Sequence, residues 1–351
     1  MELYAYSPYL QLQGIIDEFS SLRWRRRYFI PGEFELHCPF TQTNINILAE
    51  GNILHRLDRI ESGRIDTLIV APNQQGNGDE IQASGRMLSG VFDDRVIAST
   101  EIYSGPVESA MRVIVSNHAI TVNPIPFLDI YPTNGFPQTA SFQVTGGSIS
   151  DTIQALSASS NIGYRIRFDV LNTKLWFETY MGVDRSISQS VGPWTVFSDT
   201  FHNVTSPQYT YSSRGAKNYA YVAGEGTAGN RMIINVDQTN GDTRCELWVD
   251  ARDLQQGTLS DGDYQAQLYQ RGLEKLAVVP IVQNLTMQAL PTDNFKYLID
   301  WDLGDIVTFD KWGILLDQRI TEIEEVYENG IVMITPTCGS PLSDILNLGG
   351  N

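Results

Sequence analysis

The chain predicts a mixed α/β, β-rich fold: two small β-barrel-like units of short strands, with an α/β insertion between them. Three observations predict it. Period-2 alternation fills residues 1–100 and returns after Pro280 in short runs broken by Gly, Asn and Pro. Helical spacing is confined to three windows between those regions. Finally, 14 Phe, 16 Tyr and 6 Trp accompany 29 Gly and 15 Pro, a composition of strands and turns rather than of a helical bundle. A length of 351 residues, 42% hydrophobic and 19% charged, fits two or three folded domains.

The first unit, residues 1–104, starts with the strand LYAY. From Ser20 to Phe40 two strands meet at a Pro31-Gly32 corner. Leu22, Trp24, Arg26 and Tyr28 alternate against Arg23, Arg25, Arg27 and Phe29, and Phe34, Leu36 and Cys38 follow the corner. One face supplies Trp24 and Tyr28 to a core, and the other must meet charge partners or water. INILAE, NILHRLDRIE, DTLIVA and IQASGRML complete the strand set.

In the middle unit, residues 105–200, Val107, Ala110, Met111, Ile114, Val115 and His118 recur at helical spacing behind a Ser104 cap and an early Pro106. Pro124, Pro126, Pro132 and Pro137 fill a loop-rich connection. SISD at 148–151 then repeats the capping-box pattern and starts a second helix, with Ile149, Ile153 and Leu156 inward and Gly163 at its end. YRIRFDV and KLWFETY form a hairpin across Asn172 and Thr173.

The second barrel-like unit is expected over 201–258 and 279–345, interrupted by a helix at 259–278. YAYVA, RMIINVD and CELWVDA are its first strands. The helix begins at Ser260, with Asp261 and Asp263 at its positive end and Tyr264, Leu268, Tyr269, Leu273 and Leu276 as its apolar set. Gly272 inside it costs about 1 kcal/mol against Ala, which points to close backbone packing. IVQNLTMQAL, FKYLIDW, DIVTFD, ILLDQRITEIEEVY and GIVMITP come next as five strand-like runs. No fixed-period repeat is visible, although two barrel-like halves around a middle unit are what an ancient duplication would leave.

Charge excludes more than it assigns. Twenty-four Lys and Arg against 41 Asp and Glu give −17, and from Thr292 onward the tally is 3 against 11. Stable nucleic-acid binding is disfavoured, and solubility is the ordinary reason for such an excess. Cys38, Cys245 and Cys338 are too widely spaced for a thiolate metal site or a disulfide framework and fit a reducing compartment. His37, His55, His118 and His202 are scattered, and His118 reads as a packed or capping residue. MELYAYSPYLQLQG has no signal-peptide pattern and no run reaches the ~18–20 apolar residues of a membrane span, so synthesis and folding in the cytoplasm are expected.

GEGTAG at 224–229 matches a dinucleotide-loop pattern, but the adjoining NRMIINVD alternates as a strand and offers no helix N-terminus, so a hairpin loop is expected. DWDLGD crowds Asp300, Asp302 and Asp305 into a stretch that reads as a tight turn rather than a calcium loop. No catalytic, metal or cofactor residue is singled out. Two other readings remain at this level: a cell-wall hydrolase using an Asp/Glu pair, and a carbohydrate-binding module using Trp176, Trp194 or Trp248.

Several segments in their order resemble the tail hub, or tail-tip, proteins of long-tailed bacteriophages, prophages and phage-tail-derived bacteriocins. They are RWRRRYFIPGEFELHCPF, ILHRLDRIE, GRMLSGVFDDRVI, GPVESAMRVIVSNHAI, the GEGTAGNR hairpin, YQRGLEKLA and DLGDIVTFDKWGILLDQRITEIEEVYENG. The resemblance covers nearly the whole chain. It implies a baseplate-hub-like fold and a non-enzymatic virion protein at the tail tip. Three copies would close the end of the tail tube in a ring, with two barrel-like units each giving pseudo-sixfold symmetry.

Implied partners are the homotrimer mates, distal-tail or tube proteins and other baseplate proteins, with DNA only as passing cargo, indirect contact with the cell envelope and no small-molecule substrate. On this reading Arg23, Arg25, Arg26 and Arg27 are a candidate basic seam against an acidic neighbour, and a solvated strand face is the alternative. Asp302, Asp305, Asp310, Glu322 and Glu324 are candidate lumen-facing acids that would repel DNA phosphates. Many relatives carry long C-terminal extensions with peptidoglycan hydrolases or receptor-binding parts. This chain stops at Asn351 after the short PLSDILNLGGN, so no such role is expected of it.

Overall fold

The computed structural model describes residues 1–73, 76, 78–328 and 330–340, and PLSDILNLGGN lies outside them. In chain order the first half contains β1 (Leu3–Tyr6), β2 (Leu12–Ile16), β3 (Ser21–Arg27), β4 (Glu33–Pro39), helix α1 (Gln42–Ile47), β5 (Ile53–His55), β6 (Gly63–Pro72) and β7 (Asp79–Met87). β3 alternates as its sequence requires, with Leu22, Trp24 and Arg26 inward. INILAE is a correction: Ile45 to Ile47 are helical, because Thr41 accepts the Asn44 amide at 2.9 Å as an N-cap and Ile47 and Leu48 then face the core together. Of NILHRLDRIE only Ile53–His55 is a strand, and the rest is a loop that turns Arg56 and Glu61 inward.

The middle contains β8 (Glu101–Pro106), α2 (Val107–Val115), β9 (Leu128–Ile130), β10 (Thr139–Val144), α3 (Ile149–Ser160), β11 (Gly163–Asp169) and β12 (Lys174–Tyr180). Ser104 does not cap α2. It lies in β8, paired with Ser141, and Pro106 stands at the N-cap position, where its fixed φ suits a helix entry. Ser148 does cap α3, accepting from the Asp151 amide, and Asn161 (φ 60°) ends that helix ahead of Gly163. The β11–β12 hairpin forms as expected, with Thr173 at φ 52° in its turn.

The remainder contains β13 (Val196–Ser198), β14 (Val204–Ser212), β15 (Tyr219–Ala223), β16 (Ile233–Asp237), β17 (Glu246–Asp250), α4 (Asp261–Ala277), β18 (Val282–Ala289), β19 (Ile306–Lys311), β20 (Ile314–Glu328) and β21 (Ile331–Gly339). Only β14 of the 201–258 region joins the second half's sheet. β16-β15-β17 is a separate sheet whose inner face, Ala220, Val222 and Val236, packs on Tyr264 and Leu268 of α4. Two Val methyls fill the space a side chain at Gly272 would need: an added Cβ would lie 2.4 Å from Val236 Cγ2. FKYLIDW is not a strand but a compact turn with Leu298 at φ 69°, held in place by Phe295 and Trp301 in the second half's core.

β14-β18-β21-β20-β3-β4-β7-β6-β5-β1-β2, with β19 and β13 branching from β20, form one 13-stranded sheet. Among the described residues neither half closes as a fully hydrogen-bonded barrel. The second half comes near: the Asn203 amide donates to Val196 O at 2.8 Å and its Oδ1 accepts from Ser198 N at 3.0 Å, tying β13 to the start of β14.

The two halves repeat one pattern. The first runs β3-β4-β7-β6-β5 across the sheet and the second β14-β18-β21-β20-β19, with the four long strands in the same chain order. The correspondence holds at single residues. β6 carries a bulge between Ile65 and Thr67, and β20 one between Ile320 and Glu322. The Ile65 amide donates to Asn52 O and the Ile320 amide to Asp305 O, and Gly51 and Gly304 donate to Ile65 O and Ile320 O, all at 2.8 Å. Gly51 (φ 83°) and Gly304 (φ 92°) hold the same left-handed turn. GNIL at 51–54 and GDIV at 304–307 are its trace in the sequence.

Candidate functional site: the charged joint between the halves

β20 is 15 residues long, and its second part leaves its own unit: Glu322 through Glu328 pair antiparallel with Arg27 through Ser21 of β3. This ladder is the joint between the halves, and it sets the arginine ribbon directly against acids. On its outer face Arg23 Nε lies 3.0 Å from Glu324, Arg25 reaches Glu324 at 3.0 Å and Glu33 at 2.5 Å, and Arg27 Nε meets Glu322 at 2.7 Å. The acidic neighbour of the ribbon therefore belongs to the same chain. Such half-open pairs contribute roughly 0.2–1 kcal/mol each and mainly fix register.

Beneath that face Arg26 and Glu325 are buried. Arg26, 1% exposed, makes two hydrogen bonds to Glu61 at 2.8 and 3.0 Å, one to Asp302 at 2.7 Å and one to the Tyr297 hydroxyl at 2.9 Å. Arg26 is thus not a surface contact, which corrects its assignment to an interface: a β-strand's period of two places it on the core face with Trp24. Glu325, 0% exposed, accepts from Arg56 at 3.1 Å, Arg59 at 2.5 and 2.6 Å, Tyr297 at 2.9 Å and Tyr327 at 2.6 Å. Arg165 of β11 bonds Glu178 and lies 3.7 Å from Glu61, so the middle unit enters the same network.

Burial pushes the Glu61 carboxyl up, but Arg26 and Arg165 more than offset it and hold it below the ordinary glutamate value. Burial acts likewise on Glu325, and Arg59 and Arg56 again prevail. Both acids stay ionised and saturated with donors, an arrangement suited to holding parts together and not to moving a proton. Sequence reasoning missed Glu61, Glu325, Arg56, Arg59 and Arg165. The available signal was Arg26 on a core-facing register, which demands a buried carboxylate somewhere.

The expected lumen acids divide. Asp305 is 4% exposed and accepts from Val183 N at 2.7 Å, Asp302 N at 3.0 Å and Arg185 at 2.8 Å, so it cannot face a lumen: it ties the turn after β12 to the DWDLGD turn. Asp302 serves Arg26, and Glu322 and Glu324 serve the ribbon, while Asp310 is exposed. Trp176 and Trp248 lie on β12 and β17, which belong to different sheets, and Trp194 lies in the loop before β13. The GEGTAG segment connects the antiparallel strands β15 and β16. His118 is packed, 2.9 Å from Glu101.

Among the described residues Glu274 is the one carboxyl for which burial prevails and holds it above the ordinary glutamate value. It lines a cleft of about 780 Å³ between α3, α4 and the second half. No His, Cys, Asp and Glu cluster of metal-binding form occurs among them, and no helix is long and apolar enough to cross a membrane.

The fold has clear counterparts. A tail protein from Neisseria meningitidis MC58 is similar at TM-score 0.61 and 12% identity, over 96% of this chain and 95% of that one. The 43 kDa tail protein of prophage MuSo2 from Shewanella oneidensis gives 0.59 and 13%, over 97% and 99%. Prophage tail protein gp18 from Listeria monocytogenes EGD-e gives 0.58 and 12%, over 99% and 97%. These identities establish shared architecture: a β-rich tail-protein fold with few helices. No curated protein sequence matches the chain. A family profile, described as Siphovirus ReqiPepy6 Gp37-like protein, matches residues 2–340, and with nearly the whole length covered, the chain belongs to that family.

Proposed function

We propose that the chain is a structural hub of the phage tail tip, three copies of which close the end of the tail tube in a ring and join it to the baseplate. The observation that carries this reading is the duplicated half. Two units of one strand pattern, fused through β3 and β20 into a single sheet, are two consecutive segments of a ring in which each copy supplies two. The buried, multiply bonded ion pairs of the joint suit a rigid segment that transmits position rather than one that hinges.

The virion tail tip is the location this reading gives, with tube, distal-tail and baseplate proteins as neighbours. DNA passes through the ring's centre as cargo. An acidic chain whose ribbon arginines are each bound to a glutamate presents phosphates with little to hold them. Of the five sequence candidates, Asp310 is the acid left open to face such a lumen. The hydrolase and glycan-binding readings have no comparable support, because the buried carboxylates at the joint are saturated and the three tryptophans are dispersed.

Mass photometry with negative-stain imaging of the concentrated protein tests the proposal. Threefold rings with a central hole of tube width are expected. Compact monomers, both alone and mixed with tube and distal-tail proteins, would sink it.

A further inference from the structure

The duplication specifies a second joint that one chain cannot make by itself. At the bulge, Thr67 of β6 corresponds to Glu322 of β20. Each is the first residue beyond it, and they pair with Ser84 and Thr337 of the next strand. Counting on from there, Ile69 stands at the place of Glu324, Val70 at that of Glu325 and Ala71 at that of Val326.

The same alignment carries β14 onto β3. Trp24 pairs with Phe34, which pairs with Gly85, and Tyr209 pairs with Leu285, which pairs with Cys338. Arg25 and Arg26 thus correspond to Thr210 and Tyr211. Within the chain β20 pairs with β3, but their counterparts β6 and β14 do not meet.

Both counterpart edges are open. On the side that faces β3 in the second half's pattern, β6 pairs with β5 only at Arg64 and Gly63, and no strand covers Thr67 to Pro72 there among the described residues. β14 is the end of the 13-stranded path and among the described residues pairs with β18 alone. The side chains agree. At the existing joint Arg26 and Glu325 are 1% and 0% exposed, whereas their counterparts Tyr211 and Val70 are 58% and 44% exposed, and Ile69 is 48% exposed. On β6 the uncharged run from Thr67 to Pro72, with Ile69 and Val70 exposed, is an edge that soluble proteins otherwise avoid. β14 confines its bulge and Pro207 to its first half, leaving Gln208 to Ser212 in regular register. Here each unprotected edge has a partner of the right shape on another copy of the same chain.

We infer that β6 of one copy pairs antiparallel with β14 of the next, with Thr67 opposite Ser212, Ile69 opposite Thr210 and Ala71 opposite Gln208. The contact reproduces the β20–β3 joint with uncharged pairs in place of ionic ones. It is heterologous, so repeating it with a rotation that closes after three copies makes a ring with a continuous sheet around it. The uncharged pairing also suits assembly of chains that each carry −17, since the contact itself adds no further repulsion. The inference rests on the ring reading proposed above and names the surface that closes the ring.

The test imports the existing joint's ion pair into the inferred one. Ile69→Glu with Thr210→Arg recreates the Glu324–Arg25 pair at the corresponding positions. Each single variant, in the full chain, is expected to raise the ring's dissociation constant tenfold or more by mass photometry, with an unchanged circular dichroism melt. The double variant is expected to restore assembly. Leu12→Lys on β2, the other open end of the sheet, should leave assembly untouched.

Cysteine pairs give an independent reading. Ile69→Cys and Thr210→Cys copies, both also carrying Cys245→Ser, should form disulfide-linked dimers only when mixed. Rings that form normally with the single charge variants and give no mixed disulfide would overturn the inference while leaving the ring intact. Absence of any ring from the unmodified protein, both alone and mixed with tube and distal-tail proteins, would overturn both.

Discussion

Arg26 and Glu61 meet through two parallel hydrogen bonds, Nε to Oε2 at 2.8 Å and Nη2 to Oε1 at 3.0 Å, inside a joint from which solvent is excluded. Burying two charges costs several kcal/mol each, and the pair recovers this only while both partners are present. Arg26→Met leaves Glu61 with the more distant Arg165 and should destabilise the protein by about 3–5 kcal/mol. Arg25→Ala on the outer face of the same strand should cost no more than roughly 1 kcal/mol, because its pairs are reached by water. Chemical denaturation of the two variants checks the contrast, and equal losses would mean that the inner and outer faces are energetically alike.

Acid should open this joint. Glu61 and Glu325 both titrate below the ordinary glutamate value in the folded chain, so their contribution is fully present above the unfolded value of about 4.3 and is lost as pH falls through their lower folded values. The melting temperature should therefore hold from pH 7 to 5 as far as these groups decide it, and fall below about pH 4. Glu325→Gln should lower stability at pH 7 by about 3–5 kcal/mol, since Arg56 and Arg59 lose their shared counter-charge, and should flatten the decline in acid. A variant profile parallel to the wild type below pH 4 would exclude Glu325 as a source of the acid sensitivity.

How much of the fold was legible in the sequence depends on the range of each interaction. Alternation in β3, the Ser148 cap and the β11–β12 hairpin are local and were readable. The ribbon's acidic partner lies nearly the whole chain away: register between β3 and β20 depends on how two halves pack, which no period within either strand reports. INILAE misled because two adjacent apolar residues, Ile47 and Leu48, suit a helix face as well as a strand once Thr41 supplies a cap. The duplication left little more than GNIL and GDIV as a likeness in residue identity. Its true signature, a bulge and two hydrogen bonds around a left-handed glycine, is a backbone pattern that diverged side chains conceal.

Tyr28 anchors the same joint to the middle unit. Its hydroxyl donates toward Asn161 O at 3.1 Å and Tyr180 O at 3.2 Å, and its ring occupies the space beside Gly163 and Gly304, where an added Cβ would lie 2.4 and 2.5 Å from ring carbons. Gly304→Ala should cost more than Gly163→Ala, because it meets the ring and must also hold φ 92°. Tyr28→Phe should cost about 1–2 kcal/mol by leaving buried carbonyls short of a donor. Urea midpoints rank the three, and a Gly304→Ala variant as stable as wild type would show that the Tyr28 ring can move aside.

Gly272 sets helix propensity against packing. In an exposed helix Ala would be better than Gly by about 1 kcal/mol. In α4 the new methyl would meet Val236 Cγ2 at 2.4 Å and Val222 Cγ2 at 2.9 Å, and the helix would have to move off the β16-β15-β17 sheet to admit it. Overpacking of this kind costs about 1–3 kcal/mol, so Gly272→Ala should be net destabilising. Val236→Ala removes the obstructing methyl at the cost of a cavity. Combined with Gly272→Ala it should recover part of that loss, a coupling that a double-mutant cycle measures directly. Strict additivity would mean that the helix relaxes without touching Val236, and that Gly272 is retained for its backbone rather than for the fit of α4 on its sheet.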